Sequence, residues 1–212
     1  MRPDHLVVVL GTATEVGKTW VGAAVLAELA AAGRRVAARK PVQSFAPGEG
    51  PTDADVLAAA TGERPEDVCP AHRWYEVPMA PPMAADVLGR PPFTVADLVA
   101  ELSWPGGVDV GWVETVGGPR SPVAADGDSA GLAAAVVPDL LLLVADGRLG
   151  AINAVVLSVA ALHAPPVVVL NHGDGSDVWS RNRAWLESEG LDVAGGALEV
   201  ADRILLSLRG NR

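Results

Sequence analysis

Between Leu10 and Lys18 the chain reads Leu-Gly-Thr-Ala-Thr-Glu-Val-Gly-Lys, with Thr19 next. An apolar, β-branched run precedes this stretch and an amphipathic helical pattern follows it. A glycine-rich turn at such a junction admits few folds. Near the start of the helix, free backbone amides and the positive end of the helix dipole point outward, where an anion can sit. Gly17-Lys18-Thr19 matches the end of the phosphate-cradling pattern G-x-x-x-x-G-K-[ST]; Thr12 stands where a strict match needs glycine. The loop is therefore one residue longer than the strict motif when counted from Gly11. Lys18 is expected to reach terminal phosphates and the Thr19 hydroxyl to bind Mg²⁺. The extra residue brings Thr12–Glu15 closer to a substrate beyond the γ-phosphate.

The rest of the chain repeats the alternation. Continuous apolar runs at His5–Leu10, Val36–Arg39, Val110–Thr115, Leu140–Ala145 and Val167–Asn171, with a weaker one at Leu191–Ala194, read as parallel strands buried on both faces. Helical patterns cover Lys18–Ala32, Ala54–Thr61, Val95–Leu102, Ala130–Val136, Ala151–His163, Val178–Glu189 and Val200–Leu208. Gly33 terminates the first, and Asp53 is the expected N-cap of the second. The pattern predicts a doubly wound, mainly parallel α/β sheet flanked by helices, of the P-loop NTPase type. Its ligands should lie at the carboxyl ends of the strands. Phe45–Thr52 and the proline-rich Val77–Pro92 read as irregular loops around the ligand.

The 212 residues, half of them hydrophobic, suit a single domain over 1–212. One cysteine, Cys69, excludes an internal disulfide framework and fits a buried small hydrophobe. The N-terminus lacks the form of a secretory signal, and the apolar run from Leu140 is too short to cross a bilayer. A cytoplasmic protein without membrane or nucleic-acid partners is expected, because a net charge of −10 repels a phosphate polymer. A small anion such as ATP is decided by its local pocket instead. None of His5, His72, His163 and His172 has metal-ligand spacing. Trp74, Trp104, Trp112, Trp179 and Trp185 read as packing residues, and Trp20 as packing behind the loop with its amide near phosphate.

Asp53 and Glu114 should both project toward the first loop. At about 4 Å and an effective dielectric near 20, a carboxylate facing a phosphate is repelled by roughly 4 kcal/mol, so acids there imply an intervening divalent cation. Asp55, two residues on, is an equally good acid. Lys40 closes the second strand before Pro41, and with Ser44 it can flank an oxyanion or a migrating phosphoryl group. Gly150 opens a helix whose free amides can hold a carboxylate, although the same residues also suit an ordinary strand–turn–helix.

Taken together, GTATEVGKT, KPVQS, DADVL, ETVGG, GRLGAIN and the Asn of LNHGD resemble the dethiobiotin synthetase family, in the family's order from Gly11 to Asn171. The resemblance implies a Mg²⁺- and ATP-dependent cyclo-ligase. It would join CO₂ to 7,8-diaminononanoate through a carbamate and its phosphorylated anhydride, giving dethiobiotin, ADP and phosphate. By matching position it implies Lys18 and Lys40 as catalytic cations and Thr19, Asp53 and Glu114 as metal ligands. It further implies Glu15, Val16, Gly17, Lys18, Thr19, Trp20, Asp53, Glu114 and Asn171 around the nucleotide, with Asn171 reading the adenine edge. Thr14 and Ser44 would contact the diamine. Gly150, Ala151, Ile152 and Asn153 would hold its distal carboxylate across the interface of a homodimer. Thr115, Val116 and Phe45 depart from the family's small residues near substrate, and Ala154 stands where His is common.

Two other readings start from the same loop. An assembly ATPase of the same superfamily carries a lysine early in the loop, which Thr12–Val16 lack. An amide-forming ligase adds a glutamine-hydrolysing domain with a nucleophilic cysteine, for which this chain has no room.

Overall fold

The apolar runs do become strands that see no water. In a computed structural model describing residues 1–173 and 175–210, Val7 and Val9 face one helical layer, while Leu6, Val8 and Leu10 face the other. Along the chain lie β1 (His5–Gly11), α1 (Lys18–Ala31), β2 (Val36–Arg39), β3 (Gln43–Ser44), α2 (Asp53–Thr61), α3 (Pro65–Val68), β4 (Trp74–Tyr75), α4 (Pro81–Val87), α5 (Val95–Ala100) and β5 (Val110–Glu114). There follow β6 (Pro122–Ala124), β7 (Gly127–Asp128), α6 (Ser129–Val136), β8 (Leu140–Asp146), α7 (Ala151–Val159), β9 (Val167–Asn171), α8 (Asp177–Ser188), β10 (Asp192–Ala194) and α9 (Ala197–Gly210).

Among the described residues the main sheet has six strands in the order β10-β9-β8-β1-β5-β2, every neighbouring pair parallel. β1 is thus flanked by β5 on one side and β8 on the other, and the crevice for a ligand opens at its carboxyl end. The register sets Val9 beside Glu114 and Val113 beside Arg39, so the chain segments leaving β1, β5 and β2 emerge together. α1, α2 and α9 cover one face. A separate apolar cluster of Val42, Tyr75, Phe93, Leu98, Val123 and Leu132 supports the segments between β2 and α6 that wall the cleft.

The boundaries differ from expectation in instructive places. Thr52, not Asp53, is the N-cap of α2. Its hydroxyl accepts from the Asp55 amide while the Asp55 carboxylate accepts from the Thr52 amide, a reciprocal capping box. Within the supposedly irregular Val77–Pro92 lies α4, because Pro81 and Pro82 occupy its first turn, where a missing N–H costs nothing. β5 ends at Glu114, α5 and α7 stop earlier than expected, and α9 starts at Ala197. Gly33 does end α1: in a left-handed conformation, it turns the chain so that the Arg34 amide donates back to Leu29. No helix among the described residues is long and apolar enough to cross a membrane.

α1 docks on the sheet through Gly22. A Cβ there would lie 2.8 Å from Trp112 Nε1 and 3.2 Å from Leu57 Cδ2. Helix propensity alone would make Gly22→Ala stabilising by about 1 kcal/mol. Overpacking against a fully buried indole opposes this, and the net expectation is destabilisation by about 1–3 kcal/mol in urea unfolding. A raised midpoint would show that α1 can slide off Trp112.

Candidate active site

The loop after β1 is built to leave its amides unspent. Gly17 is the N-cap of α1, at φ 90°, and offers no side-chain cap. It can carry no side chain for a second reason, since a Cβ would collide with the Asn171 amide. Asn171, buried at the end of β9, donates from Nδ2 to the Val16 carbonyl at 3.0 Å. Glu15, an exposed residue, holds the strained left-handed conformation at φ 59°. Lys18 is buried and curls back so that Nζ donates to the loop's Ala13 carbonyl at 3.2 Å. Burial first, and then the charge of Lys40, lower its pKa to about 8.

Beyond the loop, three strand ends converge on a cluster of charge. Lys40 Nζ, just past β2, lies 2.7 Å from Asp53 Oδ2 and 2.7 Å from Glu114 Oε1, and it also donates to the Thr115 carbonyl at 3.2 Å. Thr19 Oγ1 is 2.8 Å from Asp53 Oδ1 and 2.9 Å from Glu114 Oε1. The Lys40 side chain is 2% exposed, that of Glu114 0% and that of Asp53 42%. Burial would push the Lys40 ammonium down, but Asp53 and Glu114 outweigh it and raise its pKa. Lys40 in turn draws the Asp53 carboxyl down to about 2 against the effect of burial. Glu114 is raised, because burial dominates.

Glu114 Oε2 is buried without a hydrogen-bond partner. A carboxylate oxygen left bare in the interior is costly unless a cation reaches it. Thr19, Asp53 and Glu114 therefore fit a small hard cation. Among the described residues no three His, Cys, Asp or Glu side chains gather into a closed metal cage. Two carboxylates and a hydroxyl suit Mg²⁺, which keeps waters and takes its remaining ligands from phosphate. Of the two acids left open by the sequence, Asp55 is engaged in the Thr52 cap, whereas Asp53 faces Thr19.

A cavity of about 750 Å³ runs from this cluster outward. Lys18, Thr19, Lys40 and Asp53 line its inner end; Phe45, Pro78, Met79 and Val116 give it an apolar wall. Thr14 and Ser44 border it too, with Ser44 Oγ donating to the Met79 carbonyl at 2.6 Å. The departures from family pattern separate here. Thr115 turns away, its buried hydroxyl donating to the Val9 carbonyl, while Val116 and Phe45 stand in the lining. Gln43 was missed by the sequence reading although it stands beside Ser44 in KPVQS. Buried, it accepts from the Ala54 amide and lies within reach of the Thr52 hydroxyl, which fixes the first turn of α2 and hence Asp53.

Gly150, Ala151, Ile152 and Asn153 lie outside this cavity, at the β8–α7 turn, where Gly150 caps α7 at φ 97° beside an exposed Leu149. Trp20 does not pack behind the loop: it is 62% exposed. Cys69 is buried and its thiol is pushed up to about 12. Asp174, the acid of the Asn171-His172-Gly173-Asp174 stretch, lies outside the described residues.

Residues 5–196 match the AAA domain family. The chain is 37% identical over 170 residues to the ATP-dependent dethiobiotin synthetase BioD of Methylobacterium nodulans, covering 73% of each chain. It is 38% identical over 164 residues to that of an Anaeromyxobacter species, covering 76% of this chain and 72% of that one. Caulobacter vibrioides has a relative of the same name, 38% identical over 165 residues and covering 74% and 73%. Among solved structures, FtsY of Thermotoga maritima aligns over 97% of this chain and 69% of its own, with TM-score 0.50 and 17% identity. Chloroplast FtsY of Physcomitrella patens gives 0.51 and 17% over 96% of this chain and 65% of its own. These two likenesses concern the fold.

Removing Lys40 alone strands two carboxylates. Lys40→Met is expected to lower stability by about 3–5 kcal/mol in urea unfolding at neutral pH. Adding Glu114→Gln should recover a large part of that loss, which a thermodynamic cycle over the two variants measures. Additive losses would mean that the pair is not energetically coupled.

Proposed function

We propose that this chain, which belongs to the dethiobiotin synthetase family, closes the ureido ring of dethiobiotin from 7,8-diaminononanoate, CO₂ and Mg-ATP. The observation that carries the reading is the buried Lys40 joining Asp53 and Glu114 at the inner end of a half-apolar cavity, with the loop lysine and Thr19 beside it. Such an arrangement supplies cations and oxygen ligands but no nucleophile, which is what phosphoryl transfer onto a substrate oxygen requires.

In this reading one substrate amine takes up CO₂ as a carbamate and releases a proton. A carbamate oxygen attacks the γ-phosphorus as the bond to the ADP oxygen breaks. The second amine then attacks the carbonyl carbon, gives up a proton, and phosphate leaves and carries that proton away. Lys18 neutralises the terminal phosphates, and the loop amides with the first turn of α1 hold them. Lys40 remains charged through the cycle, because its carboxylate partners keep its pKa raised, and it balances the carbamate and the migrating group. Mg²⁺ on Thr19, Asp53 and Glu114 would supply a counter-charge and a template for phosphate oxygens. Thr14 and Ser44 orient the diamine, and the wall of Phe45, Met79 and Val116 shelters its methylene chain and excludes water.

We further infer a homodimer in which the Gly150–Asn153 amides of a second copy hold the substrate's distal carboxylate. The exposed Leu149, Val156 and Leu157 around that helix support this reading, being 93%, 46% and 65% accessible in the single chain.

The test is product formation: ATP- and CO₂-dependent appearance of the ureido ring from the diamine, followed by mass. Lys18→Ala and Lys40→Ala should each cut the rate by at least about 10²-fold. ATP turnover with no ureido product overturns the substrate assignment.

Lys18 adds a pH signature. A triphosphate beside it raises its pKa from about 8 toward the ordinary lysine value. Mg-ATP binding should take up close to one proton per site around pH 9 and almost none below pH 7, where the ammonium is already protonated. Calorimetry in two buffers of different ionisation enthalpy measures this, and Lys18→Met should abolish the uptake. Equal heats in both buffers at pH 9 would show that the loop lysine is not the phosphate contact.

A further inference from the structure

Lysine is rare in this chain. It occurs twice, as Lys18 and Lys40, while the other fixed positive side chains are all arginines. Lys18 is held by the loop it belongs to. Lys40 stands just past β2, and β2 is the outermost strand of the main sheet. An edge strand has one row of amides with no neighbouring strand to take them, so its end needs another hold.

The free edge of β2 is closed in part by a side chain. Glu63 Oε2 accepts from the Ala38 amide at 2.8 Å, and Glu63 Oε1 accepts from Arg39 Nη1 at 2.7 Å. Two residues on, along the same edge, the Lys40 amide donates to the Val68 carbonyl at 2.8 Å. The Arg39 guanidinium is fixed in turn. It donates from Nε to the Ser103 carbonyl and lies over the Trp104 ring, 4.9 Å from its centre. The Arg39 and Glu63 side chains are only 6% and 13% exposed. A buried ion pair of this kind adds little stability over apolar side chains, and its best-attested use is to fix one arrangement among several.

Glu63 and Asp53 belong to the two ends of one helix. α2 presents Asp53 from its first turn to Lys40 Nζ. After its last turn Gly62, left-handed at φ 73°, redirects the chain, and Glu63 meets β2. Lys40 is thereby gripped twice from one element: its ammonium by Asp53, and the backbone two residues before it by Glu63.

We propose that Glu63 is a positioning residue for Lys40: its carboxylate stands in for the missing neighbour strand and fixes the point in the site at which the ammonium sits. The inference rests on the proposed function for what Lys40 does, and on the geometry alone for how Lys40 is held.

Having only two lysines makes the test direct. In protein labelled with ¹⁵N on its lysine side chains, Lys40 gives an ammonium signal sheltered from exchange by its two carboxylates, and the loss of that signal in Lys40→Met assigns it. Glu63→Ala should shift or broaden the signal. Glu63→Gln keeps an oxygen for the Ala38 amide and should leave it in place. In product formation, Glu63→Ala should lower kcat about tenfold with KM for ATP within about twofold, and Glu63→Gln should return kcat to within about threefold of wild type. Against the residual rate of Lys40→Ala, Glu63→Ala should cost no further activity, because the group it positions is gone. A further loss of about tenfold in that background overturns the proposal and reduces Glu63 to a support of the fold. An unchanged Lys40 signal in Glu63→Ala overturns it as well, and this measurement needs no substrate. Wild type that makes no ureido product, while Glu63→Ala still disturbs the signal, removes the proposed function and leaves the brace standing. If Glu63→Ala does not fold, Glu63→Asp, one carbon shorter with the same charge, takes its place in every comparison.

Discussion

Lys40 and Glu114 are two charges withdrawn from water at the carboxyl ends of adjacent parallel strands, and most of the site follows from holding them there. Each charge alone would cost several kcal/mol in the interior, and together they gain little over a pair of well-packed apolar side chains. Their presence is therefore weak evidence for stability and better evidence for chemistry. The pairing demands that β5 lie between β1 and β2, because only that order delivers Glu114, Lys40 and the loop lysine to one point. It also demands Asp53, whose half-exposed carboxylate is the outer partner of the ammonium. Gln43 and the Thr52 cap fix the first turn of α2 so that it supplies this carboxylate.

The cluster is electrically balanced without any ligand: two ammonium groups, Lys18 and Lys40, against two carboxylates, Asp53 and Glu114. Among the described residues it still leaves Glu114 Oε2 bare and the Lys18 ammonium hydrogen-bonded to its own loop alone. In the proposed function, a chelated triphosphate would bring both the cation the oxygen lacks and the anion the lysine lacks. The site is thus preorganised in position but incomplete in bonding, which favours binding the pair of opposite charges over either alone.

How much of this could be read from residues alone depends on range. Strands buried on both faces are continuous apolar runs, so β1, β5, β8 and β9 were legible almost to the residue. The glycine loop and its lysine were legible because their chemistry is local. α4 was not, since a pair of prolines reads as a breaker until it is known to fill a first turn, where proline is harmless. The choice between Asp53 and Asp55 was also closed to the sequence. One of the two serves the Thr52 cap, and only the three-dimensional course of the loop before α2 decides which. Strand order is a long-range property that periodicity does not carry, and Gln43 acts through Ala54, eleven residues away.

Phe45, Thr115 and Val116 show why a departure from pattern has to be judged by where its side chain goes. All three add bulk where the family uses small residues. Thr115 spends its bulk inward, its hydroxyl closing on the Val9 carbonyl beneath the sheet's end, so it takes nothing from the cavity. Val116 and Phe45 spend theirs on the lining, Phe45 edge-on to Trp74 with ring centres 6.3 Å apart. Bulk added to the apolar wall removes volume from the methylene end of the cavity and none from the charged end. In the proposed function, the phosphate chemistry and the fit of the diamine chain are therefore separable. The charged end is set by strand order and the loop, whereas the shape of the other end is set by two side chains on connecting segments outside the main sheet.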